Sequence, residues 1–145
     1  MEPQEKIKLL QTIYAGALAD SVLRMGREGI LEKVRNEKRA EQMASGGMRT
    51  KQLNVQSAEE VFLKLTDLMG CANWIVETTE SGCRATATGC MLCAIAKKTG
   101  AQQPCSIYCL DPMEGMAKGV EPDITFTAES TLWDGGKCSV NISRR

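Results

Sequence analysis

The apolar positions at the start of the chain recur with a helical period. Ile7, Leu10, Tyr14, Ala17, Leu18, Val22 and Met25 fall at i, i+3, i+4 spacing, which predicts a helix with one buried face. Pro3 suits its first turn and Gly26 its end. A second helix is predicted from Glu28 to Met43, where Ile30, Leu31, Val34 and Met43 make a thin stripe among charges, and Gly46-Gly47 marks a loop beyond it. Ser57-Ala58-Glu59-Glu60 has the form of a capping box and opens a third helix, with Val61, Phe62, Leu65 and Leu68 on one side and an end near Gly70. Beyond Gly70 the period drops to two. Residues from Asn73 to Thr79 and from Cys83 to Thr88 read as strands joined by Glu80-Ser81-Gly82. Gly89-Cys90 opens a short helix to Thr99 that Gly100 closes, and Cys105 to Lys118 reads as a helix interrupted by Pro112. Ile124, Phe126 and Ala128, then Cys138, Val140 and Ile142, alternate with polar neighbours on either side of the turn Asp134-Gly135-Gly136. The sum is an α+β fold: three to four helices packed on an antiparallel sheet of about four strands.

At 145 residues the chain makes one domain, with a helical part over 1–53 and the strands and most cysteines in 54–145. Apolar residues at 43% and charged residues at 25% exclude a disordered or fibrous chain. Eighteen basic residues balance eighteen acidic ones, which removes the electrostatic case for binding nucleic acid or an anionic membrane. The absence of His excludes Ser-His, Cys-His and His-metal chemistry. No apolar run reaches the length of a membrane span, and Met1-Glu2-Pro3-Gln4-Glu5-Lys6 does not resemble a secretory leader. The expectation is a cytoplasmic protein with reduced thiols. Charge is uneven in one place: from Lys33 to Lys51, six basic residues face two acidic ones. That stretch reads as a solvated helix face, or else as a surface for an anion, a protein partner or a second copy of the chain.

Seven cysteines carry the candidate chemistry. Cys90-Met91-Leu92-Cys93 is followed, eleven residues on, by Cys105-Ser106-Ile107-Tyr108-Cys109. A Cys-x2-Cys pair presents two sulfurs to one cation, and a second pair completes a four-thiolate zinc or iron–sulfur site from Cys90, Cys93, Cys105 and Cys109. The alternatives are a thiol-lined site for a small molecule and plain burial, since reduced Cys packs like a small hydrophobe. Burial is the expectation for Cys71, Cys83 and Cys138. Cys90 precedes a helix, where free N–H groups lower a thiol's pKa, so it is a candidate nucleophile, as is Cys109. Asp111 and Glu114 share a helix face directly after Cys109; they are candidates to guide water, while Asp111 before Pro112 also reads as a cap. Tyr108, inside the cluster, is the aromatic expected to border a ligand or cofactor pocket.

Four stretches in order carry a family resemblance: Gly26-Arg27-Glu28-Gly29, Thr88-Gly89-Cys90, the run from Cys105 to Asp111, and Thr131-Leu132-Trp133-Asp134-Gly135-Gly136-Lys137-Cys138-Ser139-Val140. From about residue 8 to 143 the chain resembles the L-2-amino-thiazoline-4-carboxylate hydrolase-like family and, more distantly, the vinyl-4-reductase (hydrocarbon-binding) domains. The resemblance implies an α+β fold like that of the vinyl-4-reductase domains, with a pocket near the segment from Cys90 to Asp111. It also implies either hydrolysis of a cyclic amidine-type C–N bond or binding of a small apolar ligand by a sensor without catalysis. Cys93 is an elaboration on the family pattern, and it favours a metal.

Overall fold

A computed structural model describes all of residues 1–145. Five α-helices and four strands follow in the order α1 (Pro3–Arg27), α2 (Leu31–Leu53), α3 (Ala58–Met69), β1 (Ile75–Thr78), β2 (Gly82–Ala87), α4 (Met91–Thr99), α5 (Asp111–Val120), β3 (Thr125–Ser130) and β4 (Cys138–Ser143). The strands form one antiparallel sheet in the order β1-β2-β4-β3. On its inner face Cys83, Ala85 and Ala87 of β2 lie opposite Ile142, Val140 and Cys138 of β4, so small side chains oppose larger ones. Phe62 of α3 lies against that face, edge-on to Trp74 at 5.1 Å and stacked on Phe126 at 6.3 Å between ring centroids. Met113, Met116 and Ala117 of α5 complete this core. A second core has Ala19 and Val22 of α1, Leu31 of α2, Leu92 and Ala96 of α4, and Ile107.

Local signals place several ends. Ser57 accepts the Glu60 N–H at 3.3 Å, and the Glu60 carboxylate reaches back to the Gln56 N–H at 2.9 Å, one residue before the one a capping box requires. Gly100 closes α4 with φ of +80°, a conformation that suits glycine.

Three expectations are corrected. Gly46-Gly47 is not a loop: α2 runs through it to Leu53. The glycines serve a close crossing, because α2 lies alongside α5 with backbone against backbone. A Cβ on Gly115 would stand 2.5 Å from the Gln42 carbonyl oxygen, and one on Gly119 would stand 2.5 Å from the Gly47 nitrogen. Pro112 does not interrupt its helix. Residues Ser106–Leu110 form a π-helical turn, with the Asp111 N–H bonded to the Ser106 carbonyl, and α5 continues from it. The wide turn accommodates a proline that lacks an N–H and whose ring would crowd the carbonyl four residues back. The stripe of α1 is buried only in its second half, through Ala15, Ala19 and Val22; Ile7, Leu10 and Tyr14 remain exposed.

Arg144 clasps the end of β4 to the helices. It donates to Glu59 of α3 and, at 2.7 and 2.9 Å, to Glu121, whose carboxylate also accepts the Ala58 N–H at 2.8 Å. The Arg144 hydrogen bonds hold the Glu121 carboxyl below its ordinary pKa. For Glu114, burial alone would raise the value, but hydrogen bonds from Lys118 and Arg39 outweigh it and lower it. Carboxyls depressed by folding stabilise the protein above their unfolded pKa of about 4.3, and that stability is lost as pH falls through the folded values. The urea midpoint is therefore expected to fall between about pH 5 and pH 3. Arg144→Met should be less stable at neutral pH and show a shallower acid slope; an unchanged slope would remove Glu121 from this account.

Candidate functional site

A cavity of about 290 Å³ opens at the seam between the two cores. Trp74, Met113 and Met116 wall one side, and Leu18 and Leu92 the other. Three thiols, those of Cys71, Cys90 and Cys109, also face it. Backbone pairing sets two of them side by side: Ala72 bridges to Cys90, and the Met91 N–H donates to the Cys71 carbonyl at 2.7 Å. Asn73 fixes the approach to α4 by accepting the Thr88 and Gly89 N–H groups, each at 3.0 Å.

The polar side of the cavity comes from α2. Lys38, Gln42, Ser45 and Arg49 all line it, and their i, i+4, i+7, i+11 spacing puts them on one helix face. Neither Lys38 nor Arg49 is ion-paired, although Lys38 Nζ stands 5.8 Å from the centre of the Tyr108 ring. Tyr108 lines the cavity, and its hydroxyl shares a 2.6 Å hydrogen bond with Ser21 of α1. The Gln42 Oε1 atom is buried and has no hydrogen-bond partner. No Asp or Glu lines the cavity, so its charged groups are both positive.

Asp111 and Glu114 lie elsewhere. Asp111 is buried against α2 and accepts from Arg39 at 2.7 Å and from Arg35 at 3.4 Å. Glu114 is held by Arg39 at 3.1 Å and by Lys118 at 2.6 Å. These carboxylates are occupied in joining α5 to α2. In place of the expected cap, Asp111 is helical and sits in a continuous helix.

The four cysteines of the two motifs come together. Cys90, Cys93, Cys105 and Cys109 surround a void of about 20 Å³, and Cys138 joins them. Cys83 is buried in the sheet core. The Cys93 and Cys105 sulfurs are 3.4 Å apart, and the Cys93 N–H points at the Cys90 sulfur at 3.5 Å. The four-thiolate zinc or iron–sulfur reading gains no support from this geometry, because no three Cys, Asp or Glu side chains are arranged to hold one metal ion. The expectation of an acidified Cys90 is also corrected. Cys90 does cap α4, but its hydrogen bond with the Cys93 side chain and its burial outweigh the helix N–H groups and push its pKa up. The hydrogen bond with Cys105 pushes Cys93 up to about 12, and burial raises Cys109 and Cys71. At neutral pH these thiols are protonated.

Fold and cavity together define an α+β domain with one antiparallel sheet and an apolar cavity that is edged by thiols and bordered by two cations. Residues 8–141 match the family described as L-2-amino-thiazoline-4-carboxylic acid hydrolase, and the chain belongs to that family. No curated protein and no solved structure matches the chain. No helix is long and apolar enough to cross a membrane.

Sequence reasoning missed Gln42 and Ser45 of α2, and it placed Lys38 and Arg49 only within a basic stretch read as a solvated face or a surface for an anion or partner. Their helical spacing was present in the chain, but ending the second helix at Met43 separated Ser45 and Arg49 from Lys38 and Gln42.

Proposed function

We propose that the cavity binds a small organic acid. The observation that carries this reading is the pairing of an apolar, thiol-edged wall with two cations, Lys38 and Arg49, and no carboxylate. An anionic group would be drawn to Lys38 and Arg49, the body of the ligand would rest among Leu18, Trp74, Leu92 and Met116, and an N–H donor would satisfy Gln42 Oε1. A cavity of about 290 Å³ suits a single small heterocycle better than a long chain.

Membership of the family supports a second reading, hydrolysis of a cyclic C–N bond in such an acid. In that reading Cys90 and Cys109, which line the cavity, would be the nucleophiles. With no carboxylate beside them, the proton released on attack must pass to the substrate's own basic nitrogen or to water. The small-ligand sensor without catalysis rests on the same apolar cavity and differs only in turnover.

The test uses 2-amino-thiazoline-4-carboxylate with the reduced protein, measuring binding by calorimetry and ring opening by assays for the amine that C–N cleavage releases and the thiol that C–S cleavage releases. Saturable binding is expected. Lys38→Gln and Arg49→Gln should each weaken it about tenfold or more, the loss of one charge-assisted hydrogen bond. Ring opening abolished by Cys90→Ser or Cys109→Ser would establish the hydrolase; binding without turnover would leave a binding protein. If neither this compound nor a panel of small carboxylates binds, the reading falls.

A further inference from the structure

The cysteine cluster has a geometry that binding in the cavity does not use. Cys93 is in the first turn of α4, Cys105 starts the helix that leads through the π turn into α5, and both are buried. Their sulfurs, 3.4 Å apart, need to approach by only a little over 1 Å to reach the bonded distance of about 2.05 Å. A void of about 20 Å³ lies beside them. Cys90 is half-buried and borders both that void and the cavity, so it stands between the cavity and the pair.

We propose that Cys93 and Cys105 form a reversible internal disulfide, and that Cys90 is the thiol through which a small disulfide entering the cavity reaches them. The exchange balances in three steps. The Cys90 sulfur attacks an external disulfide RSSR, giving a mixed disulfide and one RSH that carries the Cys90 proton. Cys93 then attacks the Cys90 sulfur and releases the second RSH. Finally Cys105 attacks the Cys93 sulfur, and its proton returns to Cys90 as the restored thiol. In sum, two protein thiols lose two electrons and two protons, and RSSR becomes two RSH. The bond joins α4 to the helix carrying Tyr108 and Cys109, so oxidation tethers two walls of the cavity to each other. Because the first attack needs the Cys90 thiolate, and the hydrogen bond with Cys93 and burial hold that thiol protonated, the rate should rise about tenfold per pH unit between about pH 7 and 9. This inference does not depend on what the cavity binds.

The experiment treats the reduced full-length protein with 2-hydroxyethyl disulfide. Acid quenching, alkylation and non-reducing peptide mapping follow, with fragmentation to separate Cys90 from Cys93 and Cys105 from Cys109. The expected result is a loss of two thiols from the seven in the chain, a Cys93–Cys105 cross-link, and full recovery with dithiothreitol. Cys90→Ser should form the same cross-link at least tenfold more slowly. Retention of all seven thiols, or a cross-link between any other pair, would overturn the proposal using the native protein alone. An unchanged rate in Cys90→Ser would overturn the route through Cys90.

Discussion

Replacing Gly46 with alanine is expected to destabilise the protein by about 3 kcal/mol, a fall of roughly 9 °C in melting temperature. Judged by helix propensity alone the change should be favourable by about 1 kcal/mol, since alanine is the better helix former. Packing reverses the sign. The new methyl would fall inside the Gly115 carbonyl group, and backbone cannot rotate aside as a flexible side chain can. The two helices would have to separate along a seam that Gly46, Gly47, Gly115 and Gly119 share. Gly16 is the control: it lies within α1 with nothing within 4 Å of an added Cβ. Gly16→Ala should therefore raise stability by about 0.5–1 kcal/mol. Thermal unfolding of both variants decides the matter, and a Gly46→Ala protein as stable as the parent would refute the close crossing.

Arg39→Met is expected to lower stability by about 2–4 kcal/mol. Arg39 is the one side chain that binds both Asp111 and Glu114, whose side chains are only 5% and 12% exposed. Its removal leaves Asp111 with Arg35 at 3.4 Å and Glu114 with Lys118 alone. Most of the cost is that of burying carboxylates with too few partners. The Arg39 head is itself 39% exposed, which screens the pair and keeps the effect below that of a fully buried bridge. Chemical denaturation measures the loss. Binding of the carboxylate ligand, assayed at a temperature where the variant is folded, should be nearly unchanged because Arg39, Asp111 and Glu114 do not line the cavity. A selective loss of binding at full stability would return these groups to the functional site.

Both substitutions fall on features that local sequence patterns disguise, for a common physical reason. The short helix from Cys90 to Gly100 was legible because its signals are local: a capping residue, an apolar stripe and a left-handed glycine. The alternation in β2 and β4 was legible for the same reason. Gly46-Gly47 looks like a break within its own window, and only the backbone of α5 explains why those residues are glycine. The excess of basic residues from Lys33 to Lys51 was visible, but its division was not. Arg35 and Arg39 turn to the carboxylates of α5, whereas Lys38 and Arg49 turn to the cavity. The cysteine spacing carried no information on distances: all four residues border one small void, but the close sulfur–sulfur contact is that of the pair Cys93 and Cys105. The cavity is built from all five helices and the segments beside β1, so no local stretch announces it.

The π turn at Ser106–Leu110 divides one continuous rod into two angular phases. Ahead of it Cys105 meets Cys93, and beyond it Met113 and Met116 meet the cavity. Deleting a single residue from this turn would restore ordinary winding and swing the two halves by about 100° relative to each other. Relatives whose chains differ by one residue at this point would keep the same helices and strands in the same order while presenting a differently furnished chamber. Length variation here would thus refurnish the chamber without redesigning the scaffold.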